Sequence, residues 1–217
     1  MLRRPTFLVC LVLFIAACGG RGSLTLDPEV QLLWTEQQAA AGAFNQWDMY
    51  ARAVLRPHQG GVYNVGLRWQ READGRFMMM LDAPFGQGVL RIDALKAGVY
   101  RLRLPNGRSF ENSTAEALLE DAVGWSLPVS GLDYWVRGLP HALTEYSYRL
   151  DAGGRARSIN QDGWKIEYLE YSTATADPAL PRRLRLGNDE LSFKLVIERW
   201  WPAAADATDS ELFPSFD

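Results

Sequence analysis

Apolar and polar residues alternate strictly along most of this chain, and that period of two limits what it can fold into. Between residues 62 and 70, Val65, Leu67 and Trp69 alternate with Asn64, Gly66, Arg68 and Gln70. Past a turn at Asp74-Gly75, Phe77, Met79 and Leu81 alternate with Met78, Met80 and Asp82. Leu90 and Ile92 continue the pattern, as do Tyr100, Leu102 and Leu104, and Asn106-Gly107 is a two-residue hairpin signal. Later stretches at 145–150, 155–161, 164–171, 183–186 and 190–200 read the same way. Such a pattern predicts antiparallel strands with one apolar and one polar face, about ten in all.

Three segments break the pattern with helical spacing. Asp27-Pro28 supplies an N-cap and a first-position proline, Val30, Leu33 and Trp34 form an apolar face, and Gly42 reads as the stop. Ser113-Thr114-Ala115-Glu116 is a capping box that opens a helix ending at Gly124. Ser130 to Asp133 is a weaker box, leading through Leu132, Trp135 and Val136 to Gly138, where Pro140 forbids continuation. Strands outnumber helices at both ends, so the fold class is α+β: a strongly curved, barrel-like sheet with about three helices on or inside it.

The chemistry that the sequence lacks narrows function. No GxSxG, GxGxxG, P-loop or HExxH pattern occurs. The two histidines, His58 and His141, each neighbour a proline and read as solvated loop residues. With no Cys/His cluster beside them they make no metal site. Glu120-Asp121 and Asp189-Glu190 are adjacent in sequence, so their side chains diverge and do not form an acid/base pair. A net charge of −3 gives no basic footprint for nucleic acid. An enzyme is therefore disfavoured. Eight tryptophans, eight tyrosines, nine phenylalanines and five methionines imply a large aromatic core. The run Met78-Met79-Met80 reads equally as gap-filling core and as the tolerant wall of an apolar cavity.

The first residues address the chain to an envelope. Arg3 and Arg4 precede an apolar run of ten, Thr6 to Ile15. As a helix ten residues rise about 15 Å, half of a bilayer core of roughly 30 Å, so residues 1–17 read as a signal peptide. Ile15-Ala16-Ala17-Cys18 resembles a bacterial lipobox. The resemblance implies cleavage before Cys18 and diacylglyceryl and acyl groups on that cysteine, with no other cofactor. Cys10 would leave with the leader, and the remaining thiol would be consumed by lipid, which explains an exported chain with no disulfide. Gly19 resembles residues that permit sorting to the outer membrane. Removing Arg3 and Arg4 from the 23 basic residues leaves 21 against 26 acidic ones, a net −5. Residues 18–27 then form a lipidated tether, 28–201 the folded domain, and 202–217 an acidic tail expected to be disordered.

An ordered set of short motifs completes the reading. Leu67-Arg68-Trp69-Gln70 is followed by Asp82-Ala83-Pro84-Phe85-Gly86 and Gly124-Trp125-Ser126-Leu127-Pro128. Next come Leu132-x-x-Trp135-x-x-Gly138-Leu139-Pro140 and Gly163-Trp164-Lys165-Ile166-x-Tyr168-x-x-Tyr171. Leu180-Pro181 and Lys194-Leu195-x-Ile197-x-x-Trp200 close the series. In this order and spacing the set resembles the LolB family of outer-membrane lipoprotein receptors, over roughly residues 30 to 201. The resemblance implies an unclosed antiparallel β-barrel of about eleven strands around an apolar cavity, with helices as lid or plug. It also implies a lipid-anchored monomer on the periplasmic side of the outer membrane. Such a protein accepts acylated lipoproteins from a soluble LolA-like carrier and inserts them among outer-membrane phospholipids.

Two groups of residues follow as candidates. The alternation points Leu67, Trp69, Phe77, Met79, Leu90, Ile92, Leu102, Trp164, Ile166, Leu184, Leu195 and Ile197 inward, as core and acyl-chain cavity. The loop Pro84-Phe85-Gly86 sets a phenyl group between two turn-forming residues, and the resemblance implies that Phe85 enters the membrane. Phe85 stands where the family more often has leucine, a change that keeps a large apolar group. Three other functions compete: a lipocalin-like lipoprotein that binds a small apolar ligand, a lipid hydrolase, and a structural envelope lipoprotein with a solid core.

Overall fold

In a computed structural model, which describes residues 27–82, 88–124, 126–172 and 178–202, eleven strands form one antiparallel sheet with three helices. Cys18, expected to carry the lipid, the segment Pro84-Phe85-Gly86 and the residues from 203 on lie outside the described residues. The strands are β1 (Trp47–Pro57), β2 (Tyr63–Arg71), β3 (Phe77–Asp82), β4 (Val89–Lys96), β5 (Val99–Arg103) and β6 (Ser109–Asn112), then β7 (Tyr146–Leu150), β8 (Ala156–Gln161), β9 (Trp164–Tyr171), β10 (Pro181–Gly187) and β11 (Leu191–Pro202). Their order across the sheet is β6-β5-β4-β3-β2-β1-β11-β10-β9-β8-β7. Two meanders, β1 to β6 and β7 to β11, are thus joined by the pairing of β1 with β11. The edge strands β6 and β7 do not pair, so the barrel is unclosed, as expected.

The long strand β1 is the element that the alternation reading omits. It pairs with β2 on one side and β11 on the other, with a register shift between Tyr50 and Ala51. Trp47, Met49, Ala51, Ala53 and Leu55 all face the core. Two of those five are alanines, and Tyr50 and Val54 put apolar groups on the other face, so the period is blurred where the strand is most central.

Inside the barrel, rings meet in a chain: Phe44 against Trp200, Trp200 against Trp47, Trp47 against Trp69, Trp69 against Phe77, and Phe77 against Tyr100. Ring centroids lie 5.3 to 6.0 Å apart, mostly edge to face, an arrangement aromatic quadrupoles favour. Met79 is fully buried between Trp69 and Ile92, its cross-strand partners. The gap-filling reading holds for Met79, while Met78 and Met80 lie half-buried on the opposite face.

The helices are α1 (Pro28–Ala43), α2 (Ala115–Val123) and α3 (Val129–Trp135). Asp27 caps α1 by accepting from the Glu29 backbone N–H, but the helix runs through Gly42 and ends at Phe44. A glycine inside a last turn is tolerated when the following residues still pack, and Ala43 continues the helix. The cap of α2 is Thr114 rather than Ser113, accepting from Ala117. Glu116 does not complete that box; its carboxylate accepts from the Ser130 backbone N–H at 2.7 Å and so ties α2 to α3. Ser130 caps nothing, because α3 starts one residue earlier, after Pro128, and has no side-chain cap. Gly124, left-handed at φ 79°, ends α2 as expected.

Candidate functional site

The three helices divide by how firmly they are held. α3 buries Val129, Gly131, Leu132 and Trp135 in the barrel core as a plug, with Ser130 exposed and Asp133 and Tyr134 half-buried. Its C-terminal end is bolted in place. The Arg71 guanidinium pairs with Asp133 at 2.7 Å. Arg137 donates to the backbone carbonyls of Asp133, Ala41 and Phe44. Burial lowers the pKa of Arg137, and the nearby Asp133 carboxylate opposes that shift. Tyr168, whose phenol burial holds far above its usual pKa, donates to the Trp135 carbonyl at 3.0 Å. α2 is amphipathic: Ala115, Leu118 and Leu119 face inward, while Glu120 and Asp121 face solvent. It rests on β5 and β6, at one edge of the sheet.

Between the sheet and these helices lies a narrow apolar cavity of about 30 Å³. The sheet contributes Ala53 and Leu55 of β1, Val65, Leu67 and Trp69 of β2, Leu81 and Asp82 of β3, Leu90 of β4, and Phe193 and Leu195 of β11. The helical side contributes Leu119, Val123, Leu127, Leu132 and Val136. Every lining residue but Asp82 is apolar. Such a wall gives no direction to a ligand and recognises only that it is apolar, gaining about 0.8 kcal/mol for each buried CH₂ group. A free volume of this size accommodates a water molecule or two and far less than an acyl chain.

Four of the twelve expected cavity residues, Leu67, Trp69, Leu90 and Leu195, line this space. Met79, Ile92, Leu102, Trp164, Ile166, Leu184 and Ile197 point inward as expected and are buried, but in the surrounding core. Phe77 is only half-buried, packed against the core where β3 begins at the far end of the barrel. The lining residues that sequence reasoning did not single out have readable signals. Leu119 and Val123, like Leu132 and Val136, are four apart on one helix face, and Ala53 and Leu55 are two apart on β1.

His141 is not the solvated residue expected from its loop. Its imidazole pairs with Asp162 and lies against the Tyr134 ring, with 12% of the side chain exposed. Its backbone N–H and carbonyl are both bonded to the Gln161 amide. His58 is exposed, as expected, and its backbone N–H donates to Glu190. Among the described residues, no group of three or more His, Cys, Asp or Glu side chains could hold a metal ion.

The architecture is a half-open antiparallel barrel with helices packed against it and an apolar cavity between sheet and helices. The crystal structure of a LolA superfamily protein from Nitrosomonas europaea shares this fold, with a TM-score of 0.50 at 9% identity, covering 82% of this chain and 94% of that one. Residues 45–200 match the family described as "Outer membrane lipoprotein LolB". An outer-membrane lipoprotein LolB of Pseudomonas putida is 33% identical over 208 residues, 93% of this chain and 98% of the relative. One from Stutzerimonas stutzeri is 33% identical over 196 residues, covering 89% and 93%. The chain belongs to the LolB family of outer-membrane lipoproteins.

Proposed function

We propose that this chain accepts acylated lipoproteins from a LolA-like periplasmic carrier, holds their acyl chains between its sheet and helices, and releases them into the outer membrane without catalysing any covalent step. The cavity carries this reading: fourteen of its fifteen lining residues are apolar. Acyl chains must be shielded from water in transit, and a dry wall of Leu, Val, Phe and Trp supplies that without directional chemistry.

The small resting volume requires the cavity to widen when cargo enters. α2 is the element that can yield. It is fixed by its cap, by the Glu116–Ser130 contact and by packing on an edge of the sheet, whereas α3 is held by buried ion pairs and hydrogen bonds. Cys18 is the proposed lipid anchor and Phe85 the proposed membrane-entering residue.

A photo-crosslinker at Leu90 or Leu67 captures acylated lipoprotein, and one at Arg52 on the outer face does not. Capture from Arg52 alone would place the acyl chains outside the barrel. Fatty-acid labelling at Cys18 tests the anchor. Phe85→Glu leaves acceptance intact and blocks insertion into liposomes; normal insertion removes Phe85 from the membrane step.

A further inference from the structure

One end of the barrel carries the 58–62, 162–163 and 188–190 connections, and the segment 141–145 that leads into β7 emerges at the same end. Leu55, Val65, Leu81, Leu90 and Phe193 of the cavity lie toward this end of their strands. Three apolar side chains stand out there. Leu143 is 92% exposed, Val62 57% and Tyr146 40%.

Leu143 is not the tip of a loose loop. The buried Gln161 amide fastens the chain on both sides of it. Gln161 accepts from the His141 backbone N–H and donates to the His141 carbonyl at 2.7 Å, and to the carbonyl and hydroxyl of Thr144. The His141–Asp162 pair locks the same bracket to the β8–β9 turn. Leucine on a fixed bracket has little backbone freedom left to lose when it is buried in something else.

We infer that this end of the barrel rests on the phospholipid bilayer, with Leu143 and Val62 in the apolar boundary and the Tyr146 ring at headgroup depth. The inference rests on the transfer reading and names the membrane-facing side of the same site. Three observations select a bilayer over a protein partner. The chain is an outer-membrane lipoprotein by family, so a bilayer is its standing neighbour. Leucine at the tip with tyrosine three residues behind it follows the gradient from apolar core to polar interface. Three exposed apolar side chains, two of them only about half exposed, offer far less than the about 800 Å² per partner that a stable protein interface needs.

The test uses the full-length lipoprotein, purified after expression and reconstituted in vesicles of phosphatidylethanolamine and phosphatidylglycerol that contain nitroxide-labelled lipid. A fluorophore is attached to Leu143→Cys and, as control, to Leu169→Cys, which is 47% exposed on the outer face of β9. The inference requires strong quenching at 143 and little at 169. Because Leu143 is exposed, Leu143→Asp leaves the melting temperature unchanged while slowing lipoprotein delivery to vesicles about tenfold. Equal quenching at both positions, or none at 143, overturns the membrane contact, even if Phe85→Glu still blocks insertion. Quenching at 143 in a protein that neither accepts nor delivers lipoprotein supports the contact and removes the transfer reading instead.

Discussion

The indole N–H of Trp135 donates to the side-chain carbonyl of Gln161 at 3.0 Å, and both residues are buried. This one contact joins the plug helix α3 to the last residue of β8. Through its other bonds Gln161 also fixes the segment that precedes β7. Gln161→Leu therefore leaves the Trp135 N–H and both His141 backbone groups without partners. Each unpaired buried group costs about 1–3 kcal/mol, so the variant loses about 3 kcal/mol or more. Calorimetry shows the loss as a fall of about 2–4 °C in melting temperature per kcal/mol. Gln161→Glu keeps the acceptor for Trp135 but sets a buried carboxylate oxygen against the His141 and Thr144 carbonyls, so it is destabilising as well, and protonation in acid relieves part of the loss.

Gly154 faces the start of α1 where no side chain fits. Its φ is +72°, and a Cβ there would lie 2.4 Å from the Leu33 Cβ and 2.7 Å from the Leu33 backbone carbon. Backbone cannot rotate away as a long side chain can, so Gly154→Ala must lift α1 from the β7–β8 turn. Overpacking and the left-handed backbone together cost about 3 kcal/mol. The Trp34–Tyr148 stack, with ring centroids 5.4 Å apart, is disturbed with it. Near-ultraviolet circular dichroism reports that disturbance, and an unchanged spectrum and melting temperature refute the close packing. Gly75→Ala, where a Cβ meets nothing within 4 Å, isolates the backbone part of the cost.

Two aspartates respond to acid in opposite senses. Burial alone would raise the Asp151 pKa, but the Arg155 backbone N–H and guanidinium outweigh it and hold the carboxyl below its ordinary 3.8. Its contribution is therefore complete above the unfolded value and is lost as pH falls through the lower folded value. Burial raises Asp48 above 3.8, with the Gln70 amide partly opposing it, so its charged form destabilises the fold near neutrality. That penalty disappears as pH falls through the raised value. Asp48→Asn then raises the melting temperature at pH 7, and the gain vanishes in acid. Asp151→Asn lowers it at pH 7 and flattens the acid limb. Melting curves of both variants from pH 7 down to about 2 decide the signs.

How much of this was legible in the sequence depended on how cleanly each segment kept its period. Strands such as β2 and β9, where large apolar residues alternate mostly with polar or charged ones, are readable to within a residue or two. β1 was not, because Ala51 and Ala53 weigh little on a hydropathy pattern and become informative only when Leu195, Ile197 and Val65 are seen packed beside them. Of the twelve residues that alternation points inward, eleven are buried and Phe77 is half-buried, while four line the cavity. Alternation tells which face a residue occupies, but whether it touches a void depends on where the helices come down. Met79 and Trp69 are cross-strand neighbours, yet only Trp69 reaches the cavity. The N-caps lie one residue after Ser113, at Thr114, and two residues before Ser130, at Pro128, and Glu116 accepts from Ser130 in the next helix, a contact that no local pattern encodes.

Ala53 offers a way to separate stability from cargo binding at the cavity itself. It sits on β1 between Val65 and Leu195, all three lining the same space of about 30 Å³. Ala53→Val adds two methyl groups toward that void, and a β-branched residue suits the pleat of a central strand. Filling unoccupied apolar space stabilises by about 0.8 kcal/mol per added carbon, so the melting temperature rises by a few degrees. Under the proposed function, an acyl chain that enters between sheet and helix here meets the same methyl groups. Lipoprotein acceptance from the carrier therefore falls while the protein becomes more stable, a combination that misfolding cannot produce. Thermal melts paired with a pull-down of acylated lipoprotein measure both. A variant that is more stable and still accepts cargo at the parental level shows that the acyl chains enter elsewhere in the barrel, and one that is less stable shows that the space beside Ala53 is already filled.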